Sequence, residues 1–160
     1  MHLALGADHR GFALKSILTE ALTMEGHTIL DCGSHNGDPV DHPPIAFAVG
    51  EAVTAGKAEL GILMCGSGLG VCIAANKVPG IAAASAWNPE LARLTRAHNG
   101  ANVLCLPADF LAPWYALQIV LAFLKSEPDD TERYVRRRGQ VADYEQTHSS
   151  ESVSPVSNGS

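Results

Sequence analysis

The chain has 160 residues, 46% of them hydrophobic and 18% charged, enough for one domain with a sizeable core. A formal net charge of −6 argues against a broad nucleic-acid footprint, which needs a basic surface, but leaves room for a small basic cluster that binds a phosphate. No run approaches the apolar length of a membrane span, and the N-terminus "MHLALGADHRG" lacks the basic region of a secretory signal, so a cytoplasmic protein is expected. Cys32, Cys65, Cys72 and Cys105 form no C-x-x-C pair and have no histidine at ligand spacing, which points to reduced thiols rather than disulfides or zinc.

The predicted elements alternate along the chain. Residues 2–7, "HLALGA", read as a strand. Leu14, Ile17, Leu18, Ala21 and Leu22 then follow helical spacing up to Gly26. A second strand, 27–31, leads into the polar loop "CGSHNGDPVDHPP", and an alanine-rich helix is expected over 45–56. The run "LGILMC", 60–65, is continuously apolar, as in a strand buried on both faces. Strands at 80–85 and 102–106 flank the helix "NPELARLTRAHN", with Asn88 as a possible N-cap and Pro89 at its first position. A helix from about 113 to 125 follows, and the charged stretch 129–147 reads as an extra C-terminal helix reaching away from the sheet. Residues 148–160, "HSSESVSPVSNGS", have almost no apolar content and are expected to be a disordered tail beyond a single domain of 1–147. This alternation predicts a three-layer α/β/α, Rossmann-like open parallel sheet of five strands, with ligands bound where strands end near the switch in strand order.

The sequence "MCGSGLGVCIAANK", 64–77, runs from a strand end through three glycines into a helix of small residues. Backbone N–H groups in such a turn form an anion site. A Walker A loop would need Lys after the glycines, a C-x5-R phosphatase loop would need Arg where Val71 stands, and the glycine spacing misses G-x-G-x-x-G. What remains is a thiol, Cys65, beside an anion hole, a setting expected to favour thiolate. On the residues alone Cys65 could be a nucleophile, a base removing a proton alpha to a carbonyl, or a small buried residue. Asp8 and His9 could cap the following helix, His98 lies on its helix's apolar stripe, and Arg133 and Arg137 belong to a charge run.

Three stretches, "GADHRGF", "MCGSGLGVCIAANKVPGI" and "RAHNGANVL", resemble in order the RpiB/LacA/LacB sugar-phosphate isomerases, most of all the type B ribose-5-phosphate isomerase group, over roughly residues 2–147. The resemblance implies aldose–ketose interconversion of a phosphorylated sugar through a cis-enediolate, without metal or other cofactor. It also implies homodimers, sometimes paired into tetramers, whose sites combine residues of two subunits. By the same resemblance Cys65 is the base, and Ser67 assists at the substrate oxygens. The amides of Gly66, Gly68, Leu69 and Gly70 form the anion hole. His98 opens the sugar ring with Asn99 as a sugar ligand. Asp8 meets hydroxyls, and His9, Arg133 and Arg137 meet the phosphate. Cys72 is expected to be helix packing, and Asn76 is a weaker candidate because an Asn late in a helix is often a cap.

Two departures stand out. Asp109 occupies the place where many relatives carry a basic residue, and His42 replaces an aromatic residue in the loop after the second strand. They leave the reaction type intact and open the identity of the sugar: ribose 5-phosphate first, then a tetrose phosphate, allose 6-phosphate or galactose 6-phosphate. A non-catalytic phosphosugar-binding protein is the alternative from another class, and retention of Cys65, Ser67 and His98 together speaks against it.

Overall fold

A computed structural model describes residues 1–149. Among these, five parallel strands form one sheet in the order β2-β1-β3-β5-β4. They are β1 (His2–Ala7), β2 (Thr28–Asp31), β3 (Leu60–Cys65), β4 (Ala83–Ser85) and β5 (Val103–Pro107). The helices are α1 (Phe12–Met24), α2 (His42–Thr54), α3 (Leu69–Ala75), α4 (Pro89–Asn99), α5 (Pro113–Leu124) and α6 (Glu132–Ser149). None is long and apolar enough to cross a membrane.

Every residue of β3 is buried, as its continuous apolar sequence requires. Leu60, Ile62 and Met64 pack with α1, α4 and α5, while Leu63 and Cys65 face α2 and α3. The three-layer expectation therefore holds, and Cys65 points to the α2–α3 side. The strand order reverses between β1 and β3, so the loops after these two strands flank the crevice where ligands bind in such sheets.

The elements differ from expectation in three places. α2 starts at His42, a turn earlier than expected, because Pro43 and Pro44 stand in its first turn, where a missing N–H costs nothing. β4 is only three residues long. Asn76, at the end of α3, pairs with both Ala83 N and Ala83 O at 2.8 Å, and Asn102 takes Ala82 N at 2.9 Å and Gly80 O at 2.9 Å. Side-chain amides thus stand in for a strand partner along the lead-in and at the first residue of this edge strand. His148 and Ser149 continue α6 instead of opening the tail, and the rest of the expected tail lies outside the described residues. The Asn88 cap is present, its Oδ1 accepting from Leu91 N at 2.8 Å.

Two residues with charged side chains, Asp8 and Lys15, are buried among the described residues, and Lys15 is the deeper. Lys15 of α1 is 2% exposed, and its Nζ donates to Asp31 Oδ1 at 2.5 Å and to Ser34 O at 2.7 Å. It ties the helix to the end of β2 and to the loop that leads to α2. Partial burial works against ionisation of Asp31, but the bonds from Lys15 and the Gly33 amide outweigh it and hold the carboxyl below its ordinary range. A depressed folded-state value means that the stabilisation is complete above the unfolded carboxyl's pKa and fades as pH falls through the folded one. Lys15→Ala should therefore cost about 2 kcal/mol at neutral pH, less than breaking a fully buried pair because Asp31 keeps some water. Urea unfolding should show that difference shrinking as the pH is taken down through the acid range. A difference that stays constant with pH would assign it to packing alone.

Candidate active site

The loops after β1, β3 and β5 meet because β3 lies between the other two strands. Asp8 N donates to Met64 O at 3.2 Å, and Asp109 N donates to Gly66 O at 3.1 Å, so the backbone itself joins the three loops. They enclose a cavity of about 430 Å³ whose walls include Asp8, Cys65, Gly66, Ser67 and Gly70. Arg10, His42, Asp109 and Phe110 complete it.

Cys65 is 5% exposed, and its Sγ accepts the N–H of Gly68 at 3.2 Å. Gly68 makes this possible with a φ of +73°, in a spot where a Cβ would come within 2.8 Å of Leu106 C. That double demand admits glycine alone. Leu69 N donates to Ser67 Oγ at 3.3 Å, so two amides of the expected anion hole already have partners inside the loop. Leu69 turns its side chain outward, 58% exposed. Asp8 Oδ1 accepts from Arg10 N at 2.9 Å and Gly11 N at 3.0 Å, bracing the turn into α1 while the residue still borders the cavity. His9 is bound elsewhere, its Nδ1 accepting from Val40 N at 3.4 Å.

The two departures from the family pattern both lie here. His42 stands against Gly70, where a Cβ would meet its Nε2 at 2.7 Å. Asp109 is paired with Arg10, a residue that sequence reasoning passed over. The pair rests on Gly66, where a Cβ would fall 2.6 Å from Arg10 Nε and 2.7 Å from Asp109 Oδ2. Hydrogen bonding and charge attraction from Asp109, with smaller contributions from Asp8 and Cys65, raise the Arg10 pKa further above its ordinary value. Asp109 is therefore not a bare carboxylate facing the cavity.

His98, Asn99 and Arg137 line a second cavity, also about 430 Å³, together with Asn76, Asn102, Arg138 and Glu145. The structure thus sorts the expected residues into two groups, Asp8, Cys65 and Ser67 in one cavity and His98, Asn99 and Arg137 in the other. Of the arginine pair, Arg137 lines this cavity and Arg133 is not among its lining residues. Arg133 instead lies over the Tyr134 ring, 4.6 Å from its centroid, and donates to the Tyr134 hydroxyl at 2.8 Å. Arg138, which has no counterpart in the family pattern, donates from Nη1 to the carbonyls of Ala97 at 3.4 Å, His98 at 3.4 Å and Asp129 at 3.0 Å, capping α4. Glu145 accepts from Gly80 N at 2.8 Å, a further tie between α6 and the lead-in to β4. Cys72 packs beneath α3 on Cys105, whose hydrogen bond lowers its pKa to about 7 against the opposing effect of burial. No group of three or more His, Cys, Asp or Glu among the described residues is placed to hold a metal ion.

A strand-end thiol beside a hydroxyl, a braced carboxylate and a glycine loop suits proton transfer at a carbon next to a carbonyl. Residues 3–141 match the Ribose/Galactose Isomerase family, to which the chain belongs. It is similar to ribose-5-phosphate isomerase B of Mycobacterium tuberculosis, 40% identical over 149 residues that cover 92% of each chain. The solved ribose-5-phosphate isomerase B of Clostridium thermocellum superposes with a TM-score of 0.89 at 40% identity, covering 92% of this chain and 99% of that one. The Mycoplasma genitalium enzyme, solved with bound ribulose 5-phosphate, gives 0.85 at 38% identity, covering 91% and 96%.

The Arg10–Asp109 pair makes a signed prediction for anion binding. Asp109→Asn frees a cation at the Cys65 cavity and should tighten binding of inorganic phosphate. Arg10→Ala bares the carboxylate and should weaken it, and the double variant should return close to the unmodified protein. Phosphate titrations followed by NMR would check the pattern. Weakening by both single variants would make the pair a scaffold for the loop instead.

Proposed function

We propose that the protein is an aldose–ketose isomerase that interconverts ribose 5-phosphate and ribulose 5-phosphate through a cis-enediolate. The observation that carries this reading is Cys65 at the end of β3, bordering a cavity with Ser67 and Asp8 beside it. Relatives near 40% identity that carry the name ribose-5-phosphate isomerase B support it. In the open-chain aldose, Cys65 as thiolate takes the proton from C2 and returns it to C1. The proton on O2 passes to O1 as the enediolate charge is shared between these two oxygens, next to Ser67 and the glycine loop, while Asp8 orients a sugar hydroxyl.

The ring must first open, and this falls to His98, with Asn99 as sugar ligand and Arg137 meeting the phosphate. His9 and Arg133 are weaker phosphate ligands on this geometry, because Val40 and Tyr134 already engage them. The partition of His98 and Cys65 into separate cavities favours a homodimer in which one copy brings His98 to the other's Cys65. Exposed apolar side chains at the ends of the strands support such an interface. Leu69 and Ile73 lie on α3, Trp87 follows β4 and Phe110 follows β5, and all four are more than half exposed (58%, 66%, 59% and 77%). The working protein is a cytoplasmic enzyme of one domain, residues 1–147, acting without a cofactor. A wall made of Arg10, Asp109 and His42 also keeps another sugar phosphate, such as a tetrose or hexose phosphate, in view as the natural substrate.

Cys65→Ala should lower kcat on ribose 5-phosphate by about 10² or more with little change in substrate binding. Near-normal turnover would remove Cys65 as the base. A shared site predicts complementation as well. Mixed dimers of Cys65→Ala and His98→Asn, each inactive alone, should regain about a quarter of normal activity, since half the dimers are mixed and each has one intact site. Failure of exchanged subunits to regain activity would place both residues in one copy's site.

A further inference from the structure

His98 does not stand alone in its cavity. Its imidazole lies flat against the ring of Tyr134 on α6, with centroids 4.1 Å apart and planes 11° apart. Tyr134 is fixed in turn, because Arg133 lies over its ring at 4.6 Å from the centroid and donates to its hydroxyl at 2.8 Å. The helix that carries both is pinned at the same place, since Arg138 donates to the backbone carbonyls of Ala97 and His98. A guanidinium, a phenol and an imidazole thus meet at one helix-to-helix joint. A ring stack of this kind limits rotation of the imidazole, and no hydrogen bond among the described residues takes either of its ring nitrogens, while His98 still lines the cavity.

We infer that Tyr134 is a positioning residue for His98, holding the imidazole edge-on to the cavity for the ring-opening step. This rests on the isomerase reading above. A base that moves a proton between a sugar hydroxyl and a ring oxygen must keep its nitrogen within hydrogen-bond reach of the reacting atom, and a small misplacement is costly. The residues that line this cavity include no other ring that could take over the stack, since its remaining side chains are aliphatic, amide, carboxylate or guanidinium. A merely structural Tyr134 would dock α6, and its loss would then harm every substrate alike.

Full-length Tyr134→Leu, which keeps the bulk and removes the ring, and Tyr134→Phe, which keeps the ring and removes the hydroxyl, separate the two roles. Each is assayed on ribose 5-phosphate, which cyclises, and on erythrose 4-phosphate, which cannot form the usual furanose. Tyr134→Leu should lose roughly tenfold in kcat/KM on ribose 5-phosphate and stay within about twofold on erythrose 4-phosphate. Tyr134→Phe should stay close to the unmodified enzyme on both. In NMR spectra the His98 ring protons, shifted upfield by the stacked ring, should move downfield in the Leu variant and hold in the Phe variant. Equal losses on both substrates, full activity of Tyr134→Leu on ribose 5-phosphate, or a Phe variant as impaired as the Leu variant would overturn the positioning role. An unmodified enzyme that turns over neither sugar phosphate would instead overturn the isomerase reading. That failure is distinct because it precedes any substitution.

Discussion

Burial of β3 on both faces is the constraint from which the site follows. A strand enclosed by α1, α4 and α5 on one side and by α2 and α3 on the other has no surface along its length. Chemistry can emerge only where it ends, and the residue at that end is Cys65. Parallel pairing with β1 and β5 then places the loops of those strands beside it, which gathers Asp8, Arg10 and Asp109 from distant stretches of chain. The turn after Cys65 must reverse direction in three residues while touching the β5 backbone. The left-handed Gly68 is what permits that, and its amide hydrogen ends up on the sulfur.

Charge is used sparingly around this frame. Of the 11 Lys and Arg residues, Lys15 is committed to Asp31, Arg10 to Asp109 and Arg138 to the end of α4. Arg93 pairs with Glu90, Arg96 with Glu127 and Arg136 with Glu132. The side chains of Arg137, Lys57, Lys77 and Lys125 make no hydrogen bond or ion pair among the described residues, and of these four Arg137 alone lines a cavity described above, that of His98. In a chain of net charge −6, a cation kept out of such pairs is where an anionic substrate gains most, because no partner must be displaced first.

Legibility from sequence followed the range of the interaction. The strands, the Asn88 cap and the Cys65 loop depend on neighbours a few residues away, and the period and punctuation of the chain carry them. The Arg10–Asp109 pair joins residues 99 positions apart, and nothing local in "DHRG" or "PADF" announces it. The charge run "RYVRRR" looked uniform, yet its members part company in three dimensions: Arg133 goes to Tyr134, Arg138 to the α4 carbonyls and Arg137 to the cavity. Tyr134 itself carried no signal, since an aromatic on a charged helix becomes meaningful only once α6 is laid across α4. The short β4 was hidden for the same reason. An apolar run of six reads as a strand of six until two side-chain amides take over backbone groups, Asn102 on the lead-in and Asn76 at the first strand residue.

The division of the expected residues between two cavities also has a physical logic on the proposed reading. Ring opening and enediolate formation ask for opposite environments. The first needs an imidazole with room to exchange a proton with a solvated sugar, and a half-buried His98 at a helix end provides it. The second needs a thiol shielded from water so that the loop's dipoles act at short range on developing charge, and Cys65 is nearly enclosed. Drawing the two groups from separate surfaces of two copies, as proposed, would bring them into one site only where the copies meet. It also makes the complete site a property of the assembly, so activity and subunit association become linked.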